Sequence, residues 1–343
     1  MNLAAPYADF GLVRDMLATP DVIARFDTDQ ATDTAAAIAK VGKLLLTGEG
    51  SSRIFPAKHA IMQARRAGSS LTLHTDAGRQ SQEYDLKDWA VFAASNSGKT
   101  SEVIKLFTTL KEHHHAHRYG LSASANSKLE ELSTRAYVLT CGPEGAVAAT
   151  KSVVEQALFY HALLEHAAGR AALKGKLQTL ADQFRSALTV GIDPAITEKI
   201  AAAGTIYFAG RNDGVAEELA LKTNEITRKK SDYLEGTYAV HGIEEVMNKD
   251  DVVIWLDPYE DSIAKFTDVL VKGVGLTVVA VSSNPTPAPK PFPTVQVPQT
   301  DPALSSYIQM AAGWNLLVEA GIKLKINLDK PVRARKVGNE FTG

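Results

Sequence analysis

The chain has 343 residues, of which 45% are hydrophobic and 22% charged, and its formal net charge is −2. This size and composition predict two globular domains, and the near-neutral charge excludes a surface built for non-specific nucleic-acid binding. Cys141 is the only cysteine, which excludes an intrachain disulfide and favours a reducing, cytoplasmic setting. No apolar run approaches the roughly 18 residues that cross a bilayer, so we expect no membrane insertion.

Strand and helix patterns alternate through the first half of the chain. Helical spacing covers residues 20–41, and a buried strand is predicted over 43–47, followed by a glycine turn at 48–52 and another helix. Further strands are predicted over 71–75, 89–94, 117–123 and 136–141, with helices from about Glu102 and from Thr150 to about Arg170. This rhythm predicts a parallel sheet with helices on both faces.

The same pattern restarts in the second half. KLLLTGEGSS and TIYFAGRNDG both read as strand, glycine turn and helix, which indicates an internal repeat. Strands follow over 251–257, 276–283 and 294–298, and the proline-rich stretch 284–293 is expected to be a surface loop before a last helix at about 304–323.

We therefore predict an α/β fold of two tandem, flavodoxin-like parallel-sheet units. The expected segments are an N-terminal helical segment, a first domain, a linker helix, a second domain and a polar C-terminal tail, with bounds 1–34, 35–170, 171–195, 196–325 and 326–343.

The strand over 89–94 runs into Ser95-Asn96-Ser97-Gly98-Lys99-Thr100, which we call the serine loop. Small residues let a backbone approach a ligand closely, and the start of the following helix offers free N–H groups and a positive dipole end to an anion. An ordinary N-capping turn would use the same residue types. The loop alone favours anion binding only modestly.

A second group of polar residues lies on the helix after Gly214. Glu218, Lys222 and Glu225 are spaced by four and three residues, which puts them on one helical face. They are either a surface ion-pair ladder or, because apolar residues flank them, partly buried charges near the carboxyl edge of the sheet. His241 follows sixteen residues after Glu225 and is structural or catalytic.

Taken in order, these motifs resemble the double SIS (sugar isomerase) domain family, as in the isomerase domain of glucosamine-6-phosphate synthase and in glucosamine-6-phosphate deaminases. The matching segments are Gly48 to Ser52, Ser95 to Thr100, Glu144 to Lys151, Ala220 to Glu225, His241 and Lys336.

The resemblance implies a role for each matched residue. Glu225 would move a proton between C1 and C2, Lys222 would steady the enediolate or enolamine, His241 would open the sugar ring and Lys336 would close over the open chain. The implied substrate-binding residues are Gly50, Ser51, Ser52, Ser95, Asn96, Ser97, Thr100, Ala148 and Lys151. A homodimer with shared active sites is also implied, and no metal or other cofactor.

Elementary chemistry agrees with these roles. Proton transfer between adjacent carbons needs one carboxylate that reaches both and a cation for the developing oxyanion, and ring opening suits imidazole near neutral pH. His113, His114, His115 and His117 are a weaker signal: they lie at a predicted helix end among polar residues, and we do not expect them to bind a metal.

The sequence also departs from the synthase. Asn2 follows Met1 where the synthase has a cysteine nucleophile, so we expect no ammonia from glutamine within this chain. Lys99 replaces an acidic residue of the serine loop, Ala149 replaces a serine, and the histidine motif is TYAVHGI.

These departures bear on the substrate more than on the reaction. The leading hypothesis is an isomerase or deaminase of a sugar phosphate, with an amino-hexose 6-phosphate as the expected substrate. The alternatives are a deglycase of a phosphorylated sugar-amine conjugate, an isomerase of another anionic sugar such as a sulfonate, and a sugar-phosphate sensor that does not turn its ligand over.

Overall fold

The computed structural model describes residues 1–284, 292–334 and 340–341. Two parallel five-stranded sheets flanked by helices make up the fold, which confirms the predicted α/β class. The strands are β1 (Lys43–Gly48), β2 (Thr72–Ala77), β3 (Ala90–Ala94), β4 (Arg118–Ser122), β5 (Arg135–Val138), β6 (Thr205–Gly210), β7 (Lys230–Glu235), β8 (Val252–Leu256), β9 (Thr277–Ser282) and β10 (Thr294–Gln296).

The helices connect these strands. They are α1 (Gly11–Ala24), α2 (Thr32–Val41), α3 (Ile54–Arg66), α4 (Gly78–Ser81), α5 (Ser101–Glu112), α6 (Lys128–Leu132), α7 (Lys151–Ala167), α8 (Leu177–Thr189), α9 (Pro194–Ala202), α10 (Val215–Thr227), α11 (Ile263–Phe266) and α12 (Ser305–Lys323). A π-helical stretch, Thr267–Val274, continues α11.

Both sheets have the same strand order. The first runs β2-β1-β3-β4-β5 and the second β7-β6-β8-β9-β10, and every pair is parallel. In each sheet the order reverses next to the first strand, which is where ligands bind in open α/β sheets, beyond the carboxyl ends of the strands. An internal repeat predicts the same strand order in both sheets, and this is the order observed.

Apolar residues on both faces explain the parallel strands. All five residues of β3 and all five of β8 are buried, as expected for central strands covered by helices on both sides. In the second sheet the Trp255 ring stacks on Phe266, with centroids 3.6 Å apart. Edge strand β7 was not predicted, because its sequence, KSDYLE, lacks the apolar run of a central strand.

The chain divides into two compact units. Of the described residues, the β1–β5 unit contains Asp21–Glu144, Ala149–Gln178 and 340–341, and the β6–β10 unit contains Met1–Pro20, Gly145–Ala148, 179–284 and 292–334. The domain boundaries predicted from sequence stay predictions.

The prediction of one helix over 20–41 is wrong. The structure has α1 and α2 instead, separated by a turn in which the Asp27 carboxylate accepts the backbone N–H of Asp29. Such local side-chain bonds compete with a helix. α1 begins earlier than predicted because the Asp329 carboxylate caps its first two N–H groups, those of Gly11 and Leu12. Residues 285–291 of the predicted proline-rich loop lie outside the described residues.

None of the helices in the described part of the chain is both long and apolar enough to span a membrane.

Candidate functional site

The serine loop leaves the carboxyl end of β3 and leads into α5. Its first residue, Ser95, is buried, and its hydroxyl lies 2.7 Å from the hydroxyl of Thr100, which closes the loop into a narrow turn. The N–H of Gly98 donates to the carbonyl of Ser95 at 2.9 Å. The loop is therefore held by its own hydroxyl and backbone groups.

Gly98 is required by the shape of this loop. Its φ is +65°, and a Cβ built there would lie 2.3 Å from the Cβ of Ser127. Any other residue would need the left-handed conformation and would also displace α6, whose N-cap is Ser127.

Two donors of the serine loop are unused. Among the residues that the structure describes, the backbone N–H groups of Asn96 and Ser97 donate to no protein acceptor. Consecutive free N–H groups at the end of a buried strand form a concavity that suits an anion. The side chain of Lys99 is exposed next to them.

A second serine turn lies at the end of the neighbouring strand. β1 pairs with β3, and a Cβ at Gly48 would lie 2.8 Å from the carbonyl oxygen of Ala94, so the two strand ends are in close contact. Ser51 and Ser52 follow in a short 3-10 turn that begins at Gly50. The structure thus brings these predicted residues to the same sheet edge as the serine loop.

A carboxylate links the serine loop to α7. Glu144 Oε2 accepts a hydrogen bond from Asn96 Nδ2 at 3.2 Å, and Oε1 accepts one from the Thr150 N–H at 2.7 Å. Thr150 is the N-cap of α7, and the buried Lys151 is the first residue of the helix. Ala148 is also buried, in the β6–β10 unit, where the carbonyl of Asp329 accepts the N–H of the adjacent Val147.

The candidate catalytic groups Glu225 and Lys222 are in direct contact in the β6–β10 unit. Lys222 Nζ lies 2.7 Å from Glu225 Oε2 and 3.4 Å from Glu218 Oε1. The Lys222 and Glu218 side chains are 1% and 0% exposed, whereas that of Glu225 is 22% exposed. This is a buried ion-pair network with one carboxylate open to solvent, and the surface-ladder interpretation is wrong.

Their expected position at the carboxyl edge of the sheet is also wrong for Lys222 and Glu225. α10 starts at the carboxyl end of β6 and runs back toward the amino ends of the strands, so only its first turn lies at that edge. Just after the helix, Lys229 Nζ donates to the carbonyl of Ala203, which precedes β6. Glu225 lies in the last turn of α10 and is therefore distant from the carboxyl ends of the strands of its own sheet.

His241 is exposed after a short 3-10 turn, and its Nε2 lies 3.4 Å from Lys265 Nζ. Lys265 was not predicted as a neighbour, since nothing in its local sequence distinguishes it from a surface lysine. Tyr238, on the same turn, is 53% exposed. Lys336 lies outside the described residues; of the predicted tail, Glu340 bridges to Thr100 and the Phe341 N–H donates to the carbonyl of Lys99 at 2.9 Å.

The equivalent edge of the second sheet is occupied by protein groups. Arg211, which follows β6, donates to the Asp257 carboxylate at 2.8 Å, and its guanidinium lies 4.4 Å from the centre of the Tyr259 ring. Because this arginine already has an anionic partner, the edge of the first sheet is the better anion site.

The other polar signals have structural partners. His115 Nε2 lies 2.9 Å from the carbonyl oxygen of Leu86, and His117 Nδ1 lies 3.1 Å from the Tyr119 hydroxyl. Burial raises the pKa of the Cys141 thiol, so this cysteine stays protonated. In the described ranges, no three His, Cys, Asp or Glu side chains are grouped as metal ligands.

Known proteins share this fold. No protein-family model matches the chain. A glutamine–fructose-6-phosphate aminotransferase (isomerizing) of Aeropyrum pernix is 26% identical over 313 residues, which cover 84% of this chain and 50% of the relative. The chain thus spans about half the length of this curated relative.

Two solved structures match most of the chain. The C-terminal domain of glucosamine-fructose-6-phosphate aminotransferase from Francisella tularensis has a TM-score of 0.79 and 16% identity, with 96% of this chain and 100% of that one covered. Glucosamine-6-phosphate deaminase from Thermotoga maritima has a TM-score of 0.72 and 19% identity, with 95% and 98% covered. The predicted resemblance is confirmed: the chain has the double SIS fold.

Proposed function

We propose that the protein is an aldose–ketose isomerase or deaminase of a sugar phosphate, with an amino-hexose 6-phosphate as substrate. The serine turn and the serine loop would hold the phosphate, and Glu225 would carry the proton between C1 and C2. With an amino sugar, loss of the C2 proton gives an enolamine, and return of the proton at C1 gives an imine at C2. Water hydrolyses this imine to the ketose phosphate and ammonia. No metal is needed for this route.

One observation carries the proposal: the contact between Lys222 and Glu225. A buried ammonium 2.7 Å from a partly exposed carboxylate supplies a base that can reach substrate and, beside it, a cation that can stabilise an enediolate oxyanion. A protein that only bound sugar phosphates would have no use for this pair, which disfavours the sensor.

The remaining roles belong to the same proposal. His241 would open the ring from its exposed turn, and in a homodimer it would act on the partner's substrate. Lys336 would close over the open-chain sugar. The names of the relatives, an isomerizing aminotransferase and a glucosamine-6-phosphate deaminase, support this substrate class. The exposed Lys99 in the serine loop keeps a differently charged anion, such as a sulfonate, as the second candidate.

Solvent exchange tests the proposed reaction. The protein is incubated in D2O with glucosamine 6-phosphate, fructose 6-phosphate, their unphosphorylated forms and a 6-sulfonated sugar, and deuterium at C1 and C2 is followed by NMR. We expect exchange with a phosphorylated sugar and a loss of at least about 100-fold in Glu225→Gln, since a positioned general base contributes about 100- to 10,000-fold.

Glu217→Gln is the matched control, because Glu217 is a half-buried carboxylate on the same helix. It should keep the exchange rate. Saturable binding without exchange would mean that the protein is a sensor. Exchange with the sulfonated sugar alone would mean that the substrate carries a sulfonate and not a phosphate.

A further inference from the structure

We propose that Glu144 is a positioning residue of the anion site, which holds the serine loop so that the Asn96 and Ser97 N–H groups converge on the ligand. The inference rests on the proposed function only in taking this loop as the phosphate-binding element. It assigns to Glu144 a task that charge alone would not suggest, since a carboxylate beside an anion repels it.

The contacts of Glu144 join two elements of the β1–β5 unit. Oε2 accepts from Asn96 Nδ2 at 3.2 Å and from the Ser152 hydroxyl at 3.0 Å, while Oε1 accepts from the Thr150 N–H at 2.7 Å. Oε2 thus joins the serine loop to the first turn of α7, and Oε1 adds a bond to the N-cap of the same helix. A carboxylate at a helix N-terminus is itself stabilised by the helix dipole, so Glu144 is held in place by α7.

The bond to Asn96 has a directional consequence. An ionised carboxylate only accepts hydrogen bonds, so it fixes the Asn96 amide with its NH2 group toward Glu144. The Asn96 carbonyl is also fixed, because it accepts the N–H of Ala123 at 3.0 Å. That carbonyl shares its peptide with the Ser97 N–H, while the peptide that carries the Asn96 N–H is held at the Ser95 carbonyl, which accepts the N–H of Gly98 at 2.9 Å. Neither peptide turns, so both N–H groups stay available to a ligand.

Alanine at position 144 removes the charge and all of these contacts together. Glutamine does not serve here, because with its NH2 group in place of Oε2 the Asn96 amide can reverse and offer Oδ1, which has no hydrogen-bond partner among the described residues, and the Ser152 hydroxyl can rotate to accept. Positioning and charge make opposite predictions for Glu144→Ala. If the carboxylate acted only through its charge, its loss would strengthen anion binding; if it positions the loop, its loss weakens binding.

Glu155 provides the matched control. It lies in α7, is 1% exposed and accepts hydrogen bonds from the N–H groups of Thr140 and Cys141 at 2.8 and 2.7 Å. Neither contact involves the serine loop. Glu155→Ala should lower stability at least as much as Glu144→Ala and leave anion affinity unchanged.

The experiment measures binding of inorganic phosphate to the full chain by titration calorimetry. We expect Glu144→Ala to weaken binding about tenfold, equivalent to about 1.4 kcal/mol, and Glu155→Ala to change it less than about twofold. Asn96→Ala completes a double-mutant cycle, in which Glu144→Ala should have little further effect because its route to the loop is gone. Thermal unfolding of each variant separates loss of fold from loss of affinity.

Each outcome decides the inference. Equal or stronger phosphate binding in Glu144→Ala, an equal loss in Glu155→Ala, or full additivity with Asn96→Ala would overturn it. Failure of the wild-type chain to bind phosphate would remove both the inference and the phosphate part of the proposed function. If phosphate binds but Glu225→Gln leaves exchange unchanged, only the proposed proton transfer fails.

Discussion

Replacing Lys222 with methionine tests whether the buried ion-pair network is as tightly coupled as its geometry indicates. The side chain lies between Glu218 and Glu225, with its ammonium 3.4 and 2.7 Å from their oxygens. Methionine keeps an unbranched chain of similar length but removes the charge. Glu218, which is fully buried, would then lose its contact with the Lys222 ammonium.

The distances set the magnitude. At an effective dielectric constant of about 20, separations of 3.4 and 2.7 Å correspond to about 5 and about 6 kcal/mol of gross attraction. Desolvation offsets much of this, and removing one partner of a buried pair costs about 3–5 kcal/mol. For a unit of this size, that loss should lower the unfolding midpoint by about 10 °C.

Urea unfolding is the assay. Tryptophan fluorescence is measured in a Trp89→Phe background, because Trp255 and Trp314 are fully buried in the β6–β10 unit whereas Trp89 lies in the β1–β5 unit. The double variant Lys222→Met/Glu218→Gln should recover part of the stability, because it also removes the buried charge that the Lys222 ammonium offsets in the wild-type chain.

An exposed pair in the same unit is the control. Lys272 and Asp268 are 2.8 Å apart with side chains 70% and 66% exposed, and Lys272→Met should cost less than about 1 kcal/mol. If Lys222→Met costs no more than this control, or if the double variant is less stable than the single one, the reasoning about the buried network is wrong.

Two further predictions concern the β1–β5 unit. Gly98→Ala should lower stability by about 2 kcal/mol or more and weaken phosphate binding, because the positive φ and the contact with Ser127 act together. The control Gly68→Ala, with φ of +70° and no atom within 4 Å of its Cβ, should cost about 1 kcal/mol. Equal losses in denaturant unfolding would refute the steric argument. Burial holds the pKa of His59 well below its usual value, so as the pH falls below about 6.5 the His59 ring gains a proton only in the unfolded chain. Below that pH, the free energy of unfolding should fall by about 1.4 kcal/mol per pH unit. His59→Gln should flatten this slope between pH 7 and 5, as measured from the free energy of unfolding. The control His113→Gln, at an exposed position, should leave the slope unchanged. An unchanged slope in His59→Gln would contradict the assignment.

The environment of His59 illustrates what sequence patterns leave out. The His59 ring lies on α3, 3.4 Å from a ring nitrogen of His161 on α7, and the other nitrogen of His161 lies 3.7 Å from Glu165. Nothing in the spacing of either helix indicates this contact, because the two helices are about a hundred residues apart. The helical periodicity predicts which face is buried but not which polar groups meet there.

Some features of the candidate site follow from the sequence pattern, and others depend on tertiary packing. The positions of the serine loop and of the Gly50–Ser52 turn follow from short-range rules, because an apolar run that ends in small polar residues predicts the end of a buried strand. The shared face of Lys222 and Glu225 follows from the 3.6-residue repeat. Their burial, and their distance from the strand ends, depended on the direction of α10 and on its packing.

The sequence by itself therefore determined the order of the elements, the two parallel-sheet units and the loops at the strand ends. These depend on local periodicity and turn chemistry, which a short window of residues contains. Only the tertiary structure decided that Glu218 is fully buried beside Lys222, that Glu144 joins the serine loop to α7 and that Asp329 caps α1. Each of these is a hydrogen bond or ion pair whose strength comes from exclusion of water, and water is excluded only when distant segments pack together.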